Sequence, residues 1–573
     1  VKNRNWTAVS IWKRIEWAGM SVLGFSAVVI SISPQKVHAT ETVTVNYAVE
    51  TGPADYHVGA GLGGPWADIL PDSMISLLKP PAVRIGNLWH NSNKLWERAA
   101  HNHTTVVIVV KDAVDARPEA DPLDTDFTDH WHTGPSPGDS LARMLEWNGH
   151  VRHWVDWVKA RRVVGGDTVR VQYDIWNEPD IKGKDGAGGW HPNAAYNSTN
   201  LFFDAWNTAV DSIRVWDPLA VITGPSFAYA GNGAGPEVID RSGLTMDVFL
   251  QRCYAAGTLP DVLGSHNIGY SDYTAPNSID GSCRWNLYAQ VVDLRSRVNG
   301  VFSHIAGSGI NADSFAYEIN EMLTADLPNP DWCQIPYTGP AVHPVMTPGV
   351  LVRNFALAER ARADGLKLLF ASRTVWCDPC STCIGGPYFY LAHLLDPCQA
   401  DLHQVFRPRY AWWIYRDYAG MTGRYVGAGT TGAIDALASV AATSDSSRIL
   451  IGNYSSSDSS DLRVVFNNIN STHLAVNDAI HVTIRRLPGA PDLVYKAFQG
   501  LSPVKIIDTR ILVNDNSAEI EIPAGQFDPG DALSITLSPI IPSSTGLKTN
   551  GLRGEEELPF VLRTIRRSGD RSF

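Results

Sequence analysis

Eight short runs rich in β-branched and other apolar residues recur across residues 56–371. They are Tyr56–Gly61, Ala82–Gly86, Thr105–Val110, Val169–Trp176, Ala220–Gly224, Asp261–His266, Phe315–Ile319 and Leu366–Ala371. Between them Leu141–Ala160, Leu201–Trp216 and Val350–Ala363 carry apolar residues at helical spacing, and Asp217-Pro218 and Asp364-Gly365 stop the last two. Strand and helix in alternation predict a parallel sheet, and eight such units predict an α/β fold of the closed (β/α)₈ kind. The chain has 573 residues, more than the roughly 250 to 400 of such a barrel, so an accessory domain is expected.

That domain shows as a change of texture after about Val426. Arg448–Asn453, Leu462–Phe466, Ile480–Ile484, Asp492–Ala497, Val504–Ile507, Ala518–Ile522 and Ala532–Leu537 are short strand candidates separated by Ser, Asn, Asp, Gly and Pro clusters. This rhythm predicts an antiparallel β-sandwich. The expected division is a leader over 1–39, a strand over 40–52 joining the sandwich, a barrel over 53–402, a sandwich over 403–541 and a disordered tail over 542–573, rich in Ser, Gly, Arg and Glu. No internal repeat and no Gly-rich phosphate loop is present.

Composition excludes several classes. With 44% hydrophobic and 18% charged residues the chain is not mainly disordered. Its net charge of −12 argues against a nucleic-acid partner held by phosphate neutralisation. Nineteen Trp residues supply core and, where exposed, flat faces that stack on sugar rings. Lys2, Arg4, Lys13 and Arg14 precede an uncharged run over Trp17–Ser33, and Val37-His38-Ala39 offers a cleavage site. This is the pattern of a secretory leader, the alternative being an uncleaved anchor. Val1 reads as a bacterial non-standard start, or equally as the first residue of a truncated chain. The chain is thus expected outside the cell or on its surface, with no stable membrane insertion after cleavage.

All seven cysteines lie between Cys253 and Cys398. Export makes disulfides the first reading, with one thiol left over. A metal site at Cys377, Cys380, Cys383 and Cys398 is the sharper alternative, but structural zinc usually takes well-separated ligand pairs. His101-Asn102-His103 and His130-Trp131-His132 lack the i, i+4 helical pairing of a zinc site and read as polar loops.

The most informative stretch is Val171-Gln172-Tyr173-Asp174-Ile175-Trp176-Asn177-Glu178-Pro179-Asp180. An apolar strand running into a carboxylate and Pro places Glu178 at the carboxyl-terminal rim of a barrel, where such folds assemble their sites. Cleavage of a glycosidic bond usually takes two carboxyl groups. The partner expected for Glu178 is Glu318, in Ser314-Phe315-Ala316-Tyr317-Glu318-Ile319-Asn320-Glu321, again at the end of an apolar run. Glu321 is the rival; it reads as three residues into the loop, where a side chain is less precisely held.

These residues resemble glycoside hydrolase clan A and, within it, family 39. That family carries its acid/base in Trp-Asn-Glu-Pro, matched at Trp176–Pro179, and its nucleophile in Glu-aromatic-Asn after an apolar strand. The second motif is matched at Glu318 and Asn320, with Ile319 in the aromatic's place. Arg84 resembles the clan's second-strand Arg, and His266 its sixth-strand His. The resemblance spans roughly residues 40 to 540 and implies a barrel joined to a β-sandwich. It also implies retaining hydrolysis of an oligosaccharide or polysaccharide without metal or cofactor, with Glu178 as acid/base and Glu318 as nucleophile.

Asn177 is expected on the hydroxyl beside the anomeric carbon, where its bond strengthens in the transition state. Trp376 is expected as a sugar platform or, equally, as core packing. The aromatic that supports the nucleophile falls at Ile268 here, leaving Tyr270 as the nearest candidate. The implied specificity is β-xylosidase-like exo-action. The alternatives are an α-L-iduronidase-like enzyme, for which Lys182 and Lys184 offer cations, an endo-acting hydrolase, and a non-catalytic carbohydrate-binding protein on the same fold.

Overall fold

A computed structural model of the chain describes residues 40–63, 72–85, 92–110, 140–165, 169–177, 179, 199–227, 244–267, 287–322, 348–374, 392–394, 406–408, 410–454, 461–489 and 502–540. Glu178, Tyr270, Trp376, Lys182, Lys184, the leader over 1–39, the strand candidate Asp492–Ala497, the histidines at 130 and 132 and every cysteine but Cys253 lie outside the described residues.

After β1 (Thr40–Pro53), eight strands close a barrel in sequence order. They are β2 (Gly61–Gly63), β3 (Ala82–Ile85), β4 (Thr105–Val110), β5 (Val171–Ile175), β6 (Val221–Phe227), β7 (Val262–Asn267), β8 (Ala316–Met322) and β9 (Leu368–Thr374). All pairs are parallel, including the closing pair β2–β9. The helices between successive strands are α1 (Asp72–Ser76), α2 (Ser92–Asn102), α3 (Ser140–Gly165), α4 (Thr199–Trp216), α5 (Met246–Ala256), α6 (Leu287–Phe302) and α7 (Pro348–Ala363). Helix α5 shows how local chemistry sets the ends: Thr245 accepts the Val248 N–H as N-cap, and Gly257 closes it in the left-handed region at φ 73°. No helix among the described residues is long and apolar enough to cross a membrane.

The expected strands lie where the structure has strands, with two informative shifts. Half of the first run, Tyr56–Gly61, is a 3-10 turn over Val58–Ala60, and the strand starts only at Gly61. A Cβ on Gly61 would lie 2.5 Å from Ser372 Oγ, so glycine is what lets β2 close against β9. The seventh run continues past Ile319 to Met322, which carries Glu321 onto the strand.

Beyond the barrel come β10 (Ala392–Leu394), β11 (Phe406–Pro408) and α8 (Tyr410–Ala419). A second sheet follows, made of β12 (Arg424–Thr430), β13 (Ile434–Val440), β14 (Ser447–Asn453), β15 (Asp461–Asn467), β16 (Ala479–Leu487), β17 (Val504–Leu512), β18 (Ser517–Ile522) and β19 (Ala532–Pro539). With β1 it forms nine strands in the order β17-β16-β19-β14-β13-β12-β1-β15-β18. All neighbours are antiparallel except β1–β15. Alternation drives it: Leu462, Val464 and Phe466 of β15 point inward, as do Ile480, Val482 and Ile484 of β16. Strands from both ends of the order share one apolar core, as the two layers of a sandwich do. Strands β12 and β13 were not among the expected runs. Gly427 and Gly429 interrupt the apolar pattern of one, and Ala436 and Ala438 weaken that of the other.

Barrel and sandwich meet at α7, whose residues 348–359 are all buried. Phe355 stacks on Tyr418 of α8, with centroids 4.2 Å apart and planes within 9°, an arrangement worth about 0.5–1.5 kcal/mol beyond the area it buries. On the other side Gly349 donates its N–H to Gly530 O at 2.9 Å. A Cβ there would stand 2.2 Å from the Asn453 carbonyl, so the helix start and β14 touch backbone to backbone.

Candidate active site

Inward-facing side chains at the carboxyl-terminal ends of β3, β5, β7 and β8 converge on Arg84. Its Nε and Nη2 donate to Asp174 Oδ2 at 3.0 and 2.8 Å, Nη2 also donates to Asn177 Oδ1 at 2.6 Å, and Nη1 donates to Glu321 Oε2 at 3.0 Å. His266 brings Nδ1 to 3.5 Å from the same Glu321 oxygen. Burial, and then the positive charge of Arg84, hold the His266 ring well below its ordinary pKa of 6.5. The ring is therefore neutral, and the approach to Glu321 is a polar contact rather than an ion pair.

The placement of Glu321 follows from an irregularity in β8. Along a regular strand, side chains alternate between the two faces, so Glu318 and Asn320 would face in and Glu321 out. The pairing with β7 instead runs Ser265 to Ile319 and then His266 to Glu321, so Asn320 is an extra residue. This bulge resets the alternation: Asn320 donates into the barrel to Asp174 Oδ2 at 3.0 Å, and Glu321 beside it also turns inward. Strand β5 ends comparably. Trp176 is buried at φ 73°, a conformation that bulky residues rarely adopt and that marks local strain. Its N–H donates to Val110 O at 2.8 Å, and the turn it makes presents Asn177 toward Arg84.

Glu318 does not end its strand, which corrects the expectation from the motif. It is fully buried one layer deeper, beside Gly264 of β7. Thr223 donates to its Oε1, and its Oε2 meets no close hydrogen-bond partner among the described residues. Burial pushes its pKa from 4.5 up to about 8, the Thr223 bond opposes this, and the nearby Asp174 adds to it. At neutral pH Glu318 is a protonated acid inside the barrel, not an exposed carboxylate.

This protonation has a consequence for stability. The folded chain holds a proton on Glu318 that the unfolded chain releases near its ordinary value. The resulting stabilisation is complete below about pH 4.5 and is lost as pH rises through about 8. Glu318→Gln mimics the neutral acid and has no proton to lose. Melting curves are therefore expected to show the variant gaining on the wild type steadily from about pH 5 to pH 8.5; a constant difference would contradict the buried-acid assignment.

Of the expected site residues, Arg84, Asn177 and His266 come together, and Glu321 stands among them where Glu318 was expected. Asp174, Ser226 and Thr223 were not singled out, and Asn320 only as part of the motif match. The inward parity of Gln172 and Asp174 on β5 was the one available signal for Asp174. His101 and His103 are exposed at the end of α2 and remote from this cluster. Among the described residues no three His, Cys, Asp or Glu side chains converge in a way that could hold a metal ion. A cavity of about 510 Å³ lined by Tyr56, Arg170, Gln172, Asp261 and Phe370 opens at the opposite, amino-terminal end of the strands, away from Glu321.

Solved structures share this architecture. A protein designated N2152 from Neocallimastix frontalis superposes with a TM-score of 0.57 at 17% identity, over 88% of this chain and all of that one. The GH39 enzyme of Xanthomonas axonopodis pv. citri gives 0.54 at 15%, over 88% and 99%. A monomeric β-xylosidase of Caulobacter crescentus gives 0.53 at 13%, over 88% and 100%. The fold is that of glycoside hydrolase family 39. No family model matches the sequence, and no curated protein sequence matches it.

Proposed function

We propose that this GH39-like chain is a retaining glycoside hydrolase with Glu321 as nucleophile and Glu178 as acid/base. The observation that carries the reading is Glu321 at the carboxyl-terminal rim, held by Arg84 and facing neutral His266. A nucleophilic carboxylate must stay ionised in a dry site, and a guanidinium 3.0 Å away favours the charged form. Glu178 enters through its sequence position, directly after Asn177 in the Trp-Asn-Glu-Pro motif.

In the first step Glu178 protonates the departing glycosidic oxygen while Glu321 attacks the anomeric carbon, forming a covalent glycosyl-enzyme. In the second, Glu178 takes a proton from water, which displaces Glu321 with a second inversion. Asn177, oriented by Arg84, is the residue that would hydrogen-bond the hydroxyl beside the anomeric carbon. The preferred substrate class is a β-linked xyloside cleaved from its end, since the similar Caulobacter crescentus structure is a β-xylosidase. The leader pattern over residues 1–39 supports an action outside the cell.

The test is a panel of aryl glycosides followed by NMR, with β-D-xyloside and α-L-iduronide among them. Hydrolysis of the β-D-xyloside with the β-anomer appearing first is the expected result. An α-anomer formed first would remove the double displacement. A wild-type protein inert on the whole panel would leave a carbohydrate-binding role.

A further inference from the structure

Beneath Glu321 the barrel holds a second carboxylate with an unusually complete set of partners. Asp174 is fully buried. Its Oδ2 accepts from Arg84 Nε, from Arg84 Nη2 and from Asn320 Nδ2, and its Oδ1 accepts from the Ser226 hydroxyl. Asn320 Nδ2 also donates to Ser226 Oγ at 2.8 Å, so three side chains besides Asp174 itself define where this carboxylate stands.

The consequence falls on Arg84. A guanidinium beside a single carboxylate tends to present an edge with two N–H groups, forming a two-point clamp. Here the Nε/Nη2 edge is taken by Asp174, and Glu321 is met through Nη1. The same nitrogen that binds Asp174, Nη2, also reaches Asn177. One cation is thereby shared among three groups in fixed directions.

We propose that Asp174 is a positioning residue: by holding the Nε/Nη2 edge it directs Arg84 to both Glu321 and Asn177 and keeps the guanidinium from closing a two-point clamp on Glu321. The inference rests on the nucleophile assignment above. Its chemistry is direct, because a carboxylate tied by both hydrogen bonds to a buried cation is a poorer nucleophile than one met at a single point. Among the described residues the charges nearest Glu321 are Arg84 from β3 and, behind it, Asp174 from β5; His266 of β7 is neutral, and Glu318 of β8, protonated near neutrality, adds no further negative charge. Arg84 then balances two carboxylates, one of them structural.

Asp174→Asn keeps the shape and removes the competing charge. Two readouts apply: steady-state kinetics on the aryl glycoside that the wild type cleaves, and ¹³C NMR titration of Glu321, assigned by its absence in Glu321→Gln. The expected result is a kcat lowered about 10²-fold, as for a reacting group displaced by about 1 Å, with KM little changed. Glu321 should titrate at lower pH than in the wild type, since it gains the whole charge of Arg84 and loses an anionic neighbour.

Ser226→Ala, which loosens Asp174 without removing its charge, should move both readouts the same way by a smaller factor. It carries the test if Asp174→Asn does not fold. An unchanged Glu321 titration in a folded variant overturns the proposal, as does a kcat loss that only tracks the loss of folded protein. If the wild type cleaves no glycoside while Glu321 still titrates lower in Asp174→Asn, the coupling stands and the hydrolase reading falls.

Discussion

Glu321→Ala is expected to lower kcat on an aryl β-xyloside by roughly 10⁴-fold or more, the scale at which removal of a nucleophile leaves only binding and electrostatic residues of catalysis. Glu318→Gln is expected to keep activity within a few-fold of wild type. The contrast separates two carboxyl groups three residues apart on one strand. Glu321 is paired with Arg84 at 3.0 Å, so it is available as an anion. Glu318 is sealed in the barrel with its pKa raised to about 8, so an amide of the same shape replaces it at little cost. Azide supplies the decisive readout: a small anion entering the space left by Glu321→Ala should restore turnover and form a glycosyl azide of inverted configuration. Loss of activity in Glu318→Gln with retention in Glu321→Ala would return the nucleophile to the position expected from the motif.

Glu178→Ala should show a loss that depends on the leaving group. An acid that protonates the departing oxygen typically contributes about 10²–10⁴-fold, and the contribution is greatest when the aglycone leaves poorly. Aryl xylosides with strongly acidic phenols should therefore still form the covalent intermediate, whereas xylobiose should be cleaved at the lowest rate of all. Because the proposed mechanism also makes Glu178 the base of the second step, azide should accelerate the variant and yield a glycosyl azide of retained configuration. The two azide products, inverted from Glu321→Ala and retained from Glu178→Ala, distinguish the two roles in a single assay format. Equal losses on good and poor leaving groups would remove the acid assignment.

Much of this was legible in the chain because it depends on local pattern. Seven of the eight barrel runs coincide closely with observed strands, since a strand buried on both faces is an uninterrupted apolar segment such as Thr105–Val110, which needs no distant partner to be recognised. The sandwich strands that alternate, such as Leu462–Phe466, were equally plain. The strands that escaped, β12 and β13, use Gly and Ala, whose small side chains register weakly as a pattern yet fit where β13 is covered on both faces, by the sandwich core and by α7. Arg84 and Asn177 were found through the family resemblance, and His266 through that resemblance and its place at the end of a readable strand.

Glu321, the nucleophile proposed above, was only the rival candidate in the sequence, and the reason is geometric. A motif counts residues along one chain, and by that count Glu318 closes the apolar run Phe315–Ile319. Which face a carboxylate takes depends on where the strand ends and whether its alternation is regular, and both were set by pairing with β7 and β9. The same holds for Asp174: its sequence position shows an acid inside a strand, but only the closed barrel shows that Arg84 of β3, Ser226 of β6 and Asn320 of β8 surround it.

The sequence by itself determined the eightfold strand–helix alternation, the accessory β-domain and the strand ends that carry the polar side chains, because periodicity and turn chemistry act over a few residues. Tertiary structure alone decided which of Glu318 and Glu321 faces Arg84, through one extra residue in β8 opposite His266. Side chains on a strand alternate with a period of two, so a single inserted residue exchanges the buried acid for the one at the rim.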